Sequence, residues 1–112
     1  MSARVQTWLW IVQRASALVL AVVVAIHLAT MVYVIHGGLS AGQILARTRG
    51  SVAWLVVYGS FVTAAAVHAP IGLRPVLSEW SPLPPRAIDA TALIFALLLA
   101  VLGWRAVLGL YV

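Results

Sequence analysis

Uncharged, mostly aliphatic sequence fills three long blocks of this chain, at residues 15–35, 50–73 and 90–104. At about 1.5 Å of rise per residue, the first two blocks can cross a hydrocarbon core of about 30 Å as helices. The third can do so if Arg105 extends towards the headgroups and the helix continues to the end of the chain. Backbone amides in lipid must be paired internally, so the pattern predicts an all-α membrane protein with three transmembrane helices.

Helix boundaries follow from the charged residues and from the glycines and prolines. The helices are predicted over about residues 8–35, 51–73 and 88–111, within a single transmembrane domain of residues 1–112. The turn after the first helix is marked by Gly37, Gly38, Ser40 and Gly42. The connection after the second helix is predicted to be broken by Pro75, Pro82, Pro84 and Pro85.

Composition and charge support a membrane protein. Of 112 residues, 64% are hydrophobic and 8% charged, more apolar surface than a soluble domain of this length can bury. The net charge of +5 is spread over loops and helix ends. Charges in these places are typical of residues that set the orientation in the membrane and contact lipid headgroups, and they do not predict a nucleic-acid surface. A cytoplasmic N-terminus places four arginines on the inside (Arg4, Arg14, Arg74, Arg86) and two outside (Arg47, Arg49). The absence of cysteine excludes disulfides, an iron–sulfur cluster held by this chain and a covalently attached c-type haem.

Two histidines, His27 and His68, lie well inside apolar blocks. A buried imidazole can simply bond a carbonyl of a neighbouring helix, but ionisable groups inside membranes commonly mark proton paths, metals or cofactors. His27 lies about 20 Å beyond Arg14 and His68 about 9 Å from Arg74, so their depths differ by about 11 Å if both arginines mark one edge. Two imidazoles on one iron need nitrogens within about 4 Å of each other. If both histidines are ligands, there are two haems, and each needs a histidine from another chain.

The third histidine, His36, lies on the opposite face of the first helix from His27, at the predicted outer headgroup level. We interpret His36 as a loop or interface residue.

Two stretches resemble a known family. Trp10 to Leu28 opens the first helix with Gln13, Arg14, Ala15, Ser16 and Ala17, and it resembles the start of a membrane anchor subunit of succinate dehydrogenase or fumarate reductase. His68 to Trp80, with Gly72, Leu73 and Arg74, is similar to the segment of that family whose histidine ligates haem b.

The resemblance implies a haem-binding bundle to which an iron–sulfur subunit and a flavoprotein subunit dock on the cytoplasmic face. It implies that His68 is an axial ligand of haem b, and that His27 corresponds to the ligand of a second haem in two-haem anchors. The chain would then be half of such an anchor, completed by a second membrane chain or a second copy. Quinone is the implied substrate and the bacterial inner membrane the implied location. The dicarboxylate chemistry would lie in other subunits.

The same resemblance assigns lesser roles to four further residues. Arg14 and Ser16 match positions near quinone or a haem propionate, although an interface anchor and a packing hydroxyl are the alternatives. Arg74 could pair with a propionate or serve only as a positive-inside residue. Trp80 falls where single-haem anchors place a tyrosine beside the quinone, so a phenolic hydrogen bond is not expected there.

A different class of function is also compatible with the sequence. A non-haem assembly or transport subunit could use the same histidines to bond helices or to relay protons. A reduced-minus-oxidised spectrum of the purified complex distinguishes the two, because only the haem protein shows b-type bands.

Overall fold

The computed structural model describes residues 2–112, so the first residue of the predicted domain lies outside it. The elements are helices α1 (Ala3–Gly37), α2 (Ala41–Thr48), α3 (Val52–Trp80) and α4 (Pro85–Tyr111). Helices α1, α3 and α4 are long and apolar enough to cross a membrane. The prediction of an all-α membrane protein with three spanning helices is therefore confirmed.

Helix α1 has defined ends on both sides. The side chain of Ser2 accepts a hydrogen bond from the Val5 amide, 3.3 Å away, which caps the first turn. At the other end, Gly38 takes a left-handed conformation with φ of 63°, and its amide donates to the carbonyl of Ile35. A residue without a Cβ adopts this conformation at little cost, so glycine ends the helix here.

The connection after α1 contains a helix that the sequence did not predict. Ser40 and Gln43 form a capping box, in which each side chain accepts a hydrogen bond from the other residue's amide, and this starts α2. The hydroxyl of Thr48 donates to the Leu110 carbonyl at 3.0 Å and so attaches α2 to the end of α4. The segment whose glycines were interpreted as a simple turn therefore contains an eight-residue helix, with Gly42 inside it.

Helix α3 continues past Pro75, and the prediction that it ends at residue 73 was wrong. Pro75 lacks an amide proton and frees one carbonyl in the preceding turn, a defect that helices in membrane bundles tolerate. The helix ends at Trp80, where the Ser81 hydroxyl and amide both donate to the Leu77 carbonyl. The prolines that follow stop the chain from continuing as a helix.

The central helix is α3, with α1 packed on one face and α4 on another. Glycines make the contact with α4 close, because Gly59 faces the ring of Trp104 and Gly103 faces the side chain of Val62. Large apolar side chains elsewhere point outward, among them Leu18, which is 70% exposed. The molecule is 49 Å long, which matches a bilayer of about 40–45 Å with its headgroups. The outward apolar surface therefore faces lipid or other membrane chains.

Candidate cofactor site

His68 lies in the contact between α1 and α3, and its ring is held by a side chain of the other helix. The Oγ atom of Ser16 is 3.2 Å from the Nδ1 atom of His68. Ser16 is only 7% exposed, so the contact is largely shielded from the surroundings. His68, the implied haem ligand, and Ser16, matched to a position near quinone or a propionate, are thus brought together.

A second hydrogen bond of Ser16 favours one tautomer of His68. The Ser16 hydroxyl donates to the Gln13 carbonyl at 3.0 Å, so its single proton is used there. With that proton on the Gln13 carbonyl, the oxygen is free to accept from His68, which favours the tautomer that carries its proton on Nδ1. The Nε2 atom of His68 therefore carries a lone pair, and within residues 2–112 no hydrogen-bond partner of Nε2 is found.

Next to this pair lies a polar atom without a partner. The Oε1 atom of Gln13 is buried and makes no hydrogen bond within the described part of the chain. A Cβ added at Gly72 would lie 3.3 Å from the Nε2 atom of Gln13, so the helices approach closely here. A buried amide oxygen of this kind offers an acceptor to a group that enters from outside the chain.

His27 lies on the same contact between α1 and α3, nearer to the α2 end. Its ring meets the Tyr58 ring edge-on, with centroids 6.3 Å apart, and Tyr58 in turn stacks on Trp54 at 5.5 Å. A cavity of about 70 Å³ lies between His27 and its neighbours Val23, Tyr58 and Phe61. Over the range that the structure describes, neither ring nitrogen of His27 has a hydrogen-bond partner, so both are available to a ligand or a partner chain.

The two histidines lie at different depths. Helices α1 and α3 run antiparallel, with Ser16 opposite His68 and His27 opposite Tyr58. Counting along either helix, the two levels are about 15–16 Å apart. This exceeds the predicted 11 Å because Gly72 lies opposite Gln13, which places Arg74 farther towards the N-terminal end than Arg14. The histidines cannot share one metal ion.

The two arginines near the N-terminal end, Arg14 and Arg74, have different partners. The Arg14 guanidinium stacks over the Trp10 ring at 5.4 Å. Arg74 donates through Nε at 3.0 Å and Nη2 at 2.6 Å to one carboxylate oxygen of Asp89, which joins α3 to α4. Among the described ion pairs, none involves Arg14, so this guanidinium is the better placed of the two to meet an incoming anion.

One predicted site residue, Trp80, lies away from both histidines. Trp80 is at the last turn of α3, about 18 Å along the helix from His68, and its side chain is 83% exposed. Arg105 lies beside Trp104, which packs on Gly59, so it is close to the level of Tyr58 and His27. The structure thus brings Ser16 to His68 and leaves Trp80 at the surface of the N-terminal end.

Sequence reasoning missed Tyr58, the aromatic neighbour of His27. Tyr58 lies ten residues before His68, whereas His27 lies eleven residues after Ser16, so antiparallel packing brings these two rings together. The two spacings could be counted in the sequence. The pairing of Ser16 with His68, which sets the register of α1 against α3, could not be predicted from it.

A groove of about 660 Å³ lies alongside Ser16, between α1, α3 and α4. Small residues of α3 form much of its wall, which lets a flat group or another helix come close. Its lining consists of Ser16, Val19, Leu55, Val56, Gly59, Ser60, Thr63, Ala64, Val67, Trp104 and Leu108. No three His, Cys, Asp or Glu side chains gather as a metal site within residues 2–112.

Comparison with protein families gives one match. Residues 1–107 match the family described as succinate dehydrogenase/fumarate reductase transmembrane subunit. Neither the curated proteins nor the solved structures give a significant match. The match covers α1, α2 and α3 and most of α4, so it includes His27, His68 and their surroundings.

Proposed function

The chain belongs to the succinate dehydrogenase/fumarate reductase transmembrane subunit family, and from this premise we propose that it is a haem b-holding membrane anchor. In this proposal it conducts electrons between the iron–sulfur subunit and membrane quinone, and the dicarboxylate is oxidised or reduced by the soluble flavoprotein. Family membership itself supports a multi-pass subunit that associates with the other subunits of this complex. The bacterial inner membrane and a cytoplasmic N-terminus are parts of the proposal.

The observation that carries the proposal is the hydrogen bond between Ser16 Oγ and Nδ1 of His68. Ser16 accepts from Nδ1, which leaves the lone pair of Nε2 for iron, and a hydrogen bond at the other ring nitrogen is the usual support of a metal-ligating histidine. On α3, Ala64 and Gly72 lie one turn before and one turn after His68, and small residues at such positions permit another group to come close. A haem b bound here supplies reversible one-electron transfer.

Arg14 and Gln13 complete the site at its N-terminal end. The Arg14 guanidinium offers a planar pair of donors that suits a propionate carboxylate or a quinone oxygen. Gln13 offers a buried Oε1 acceptor without a partner of its own, and the hydroxyl form of a reduced quinone is a donor that would suit it. Arg74, which binds Asp89, and the exposed Trp80 are assigned to the surface on which the soluble subunits dock.

His27 is proposed as the ligand of a second haem. Its level lies about 15–16 Å from that of His68, so it serves a different iron. Tyr58 packs edge-on against its ring and gives the imidazole an aromatic neighbour on α3.

A non-haem role is the second candidate, and the bond between Ser16 and His68 also favours it. The bond joins two transmembrane helices, which is a sufficient structural reason for a histidine in a membrane. In that case the complex would assemble with these helices bonded and contain no b-type haem.

Spectra of the His68→Ala complex distinguish the two candidates. We expect the haem at the N-terminal end to be lost, because the alanine variant has no nitrogen for the iron. The measurement is the reduced-minus-oxidised spectrum, with haem quantified per complex. His36→Ala is the matched control, since His36 is exposed and its Nδ1 already binds the Val32 carbonyl at 2.9 Å. A wild-type complex without b-type bands, or a His68→Ala complex with full haem content, would contradict the proposal.

A further inference from the structure

We propose that a cavity at the α2 end of the molecule binds an anionic phospholipid through its phosphate group. The cavity has a volume of about 330 Å³ and lies between α1, α2 and α3, which contribute Tyr33, Arg47 and Trp54 to its lining. Tyr33 is about 25 Å along α1 from Ser16, so the cavity is separate from the contacts proposed for quinone. The proposal does not depend on haem, so it and the proposed function can fail separately.

The polar groups of the cavity meet where α2 approaches α1. The Nη1 atom of Arg47 donates to the Tyr33 hydroxyl at 3.1 Å, and the guanidinium lies 5.2 Å from the centroid of the Tyr33 ring. This bond uses one of the five N–H donors of Arg47. The Tyr33 oxygen accepts in it, so the phenolic proton is left for another acceptor. The pair therefore presents several donors and a full positive charge at one place.

The two threonines in the lining have already used their protons. The Thr30 hydroxyl donates to the Ile26 carbonyl at 2.8 Å, and the Thr48 hydroxyl donates to the Leu110 carbonyl at 3.0 Å. The side-chain donors that α1 and α2 offer to a ligand in the cavity are therefore those of Tyr33 and Arg47. Such a site selects a ligand with oxygen acceptors.

No side-chain carboxylate is near enough to neutralise Arg47. The sequence contains two acidic residues, Glu79 and Asp89. They lie in the last turn of α3 and near the start of α4, about 30–40 Å along those helices from the α2 end. Asp89 is bound by Arg74, and within residues 2–112 Arg47 makes no ion pair. The charge of Arg47 is therefore complementary to an anionic ligand.

The rest of the lining suits an acyl chain. Leu39, Ile44 and Trp54 supply apolar surface, and Tyr33 is 56% exposed, so the cavity opens outward from the bundle. Arg47 and Tyr33 lie near the end of α1, where arginine and tyrosine commonly contact headgroups.

An anionic phospholipid matches both parts of the cavity. Its phosphate supplies the negative charge and the oxygen acceptors that a guanidinium and a phenol bind, and its acyl chain covers the apolar wall. A neutral quinone would leave the charge of Arg47 unpaired, and free phosphate would leave the apolar wall uncovered. A zwitterionic lipid brings its own ammonium group, which competes with Arg47 for the phosphate.

Lipid titration of the purified complex tests the proposal. The complex is stripped of lipid in mild detergent and titrated with phosphatidylglycerol or with phosphatidylcholine of the same acyl chains, and bound lipid is counted by native mass spectrometry. One phosphatidylglycerol should bind at least about tenfold more tightly than phosphatidylcholine, as expected for a charge-assisted hydrogen bond. Arg47→Gln should abolish this preference, and Tyr33→Phe should reduce it about threefold. Equal binding of the two lipids would overturn the proposal.

Arg49→Gln is the matched control, because Arg49 directly follows α2 and carries the same charge but is not among the residues that line the cavity. It should keep the wild-type preference, and an equal loss in Arg49→Gln and Arg47→Gln would overturn the proposal in favour of general surface charge. Excess inorganic phosphate or decylubiquinone should not displace the bound phosphatidylglycerol. Displacement by either one would assign the cavity to phosphate or to quinone and overturn the proposal. If Arg47→Gln does not assemble, Tyr33→Phe, which keeps every charge, decides the matter.

Discussion

At the residue scale, Ser16 is the hydrogen-bond partner of His68. A serine hydroxyl has one proton, and here that proton goes to the Gln13 carbonyl. The oxygen is left to accept from Nδ1 of His68, so the lone pair is on the opposite ring nitrogen. One hydroxyl thus sets both the orientation and the protonation of the proposed ligand.

Removing that hydroxyl should disturb the haem without removing its ligand. In Ser16→Ala the Nδ1 proton of His68 loses its acceptor, which costs about 1–3 kcal/mol for a buried donor and frees the ring to rotate. We expect a shifted midpoint potential and a smaller low-spin fraction for the N-terminal haem, measured by redox titration. Ser16→Thr, which keeps a hydroxyl, should restore both.

Ser60→Ala is the matched control for this prediction, because Ser60 lines the groove beside Ser16 and is on α3. An unchanged midpoint potential and spectrum in Ser16→Ala would contradict the prediction and show that Ser16 only packs between the helices.

The sequence predicted His68 as a haem ligand and Ser16 as a residue near quinone or a propionate, and it did not predict the contact between the two side chains. The contact between them joins positions 52 residues apart, and only the packing of α1 on α3 creates it. Residue types could be predicted from the pattern, whereas the partner of each side chain depended on the helix register.

At the scale of elements, the uncharged blocks predicted the three long helices well and their ends less well. Pro75 was interpreted as a break, but α3 continues to Trp80 because one missing hydrogen bond does not end a helix that is packed on α4. Helix α2 was missed because glycines at 37, 38 and 42 resemble a turn, while the capping box of Ser40 and Gln43 outweighs them.

The contact between α3 and α4 depends on glycine at two positions. A Cβ at Gly103 would lie 2.5 Å from Cγ1 of Val62, a stiff β-branched side chain, so the helices would have to move apart. We expect Gly103→Ala to lower the stability of the membrane domain by about 1–3 kcal/mol, measured as thermal unfolding in detergent.

Gly109→Ala provides the control for that change. Nothing lies within 4 Å of a Cβ at Gly109, on the same helix, so alanine there should be neutral or slightly stabilising. Equal stability of the two variants would mean that the contact between α3 and α4 is loose enough to absorb a methyl group.

At the scale of the whole molecule, the helices form an incomplete bundle. Helix α3 is covered on two faces, while α1 packs mainly on α3 and exposes apolar side chains along most of its length. The sequence predicted an anchor that needs another chain. It underestimated the separation of the histidines, because Arg14 and Arg74 were taken to mark one depth and the register places them at different depths.

The larger separation sharpens the prediction for His27. Levels about 15–16 Å apart require two irons if both histidines are ligands, stacked from one side of the membrane to the other. His27→Ala should therefore halve the haem content of the complex and abolish the centre nearer α2. The N-terminal haem should keep its spectrum, its potential and its reduction by succinate, because Ser16 and His68 are untouched. Difference spectra and redox titration measure both parts. A complex that keeps its full haem content after His27→Ala would make His27 a packing residue against Tyr58 and the anchor a single-haem type.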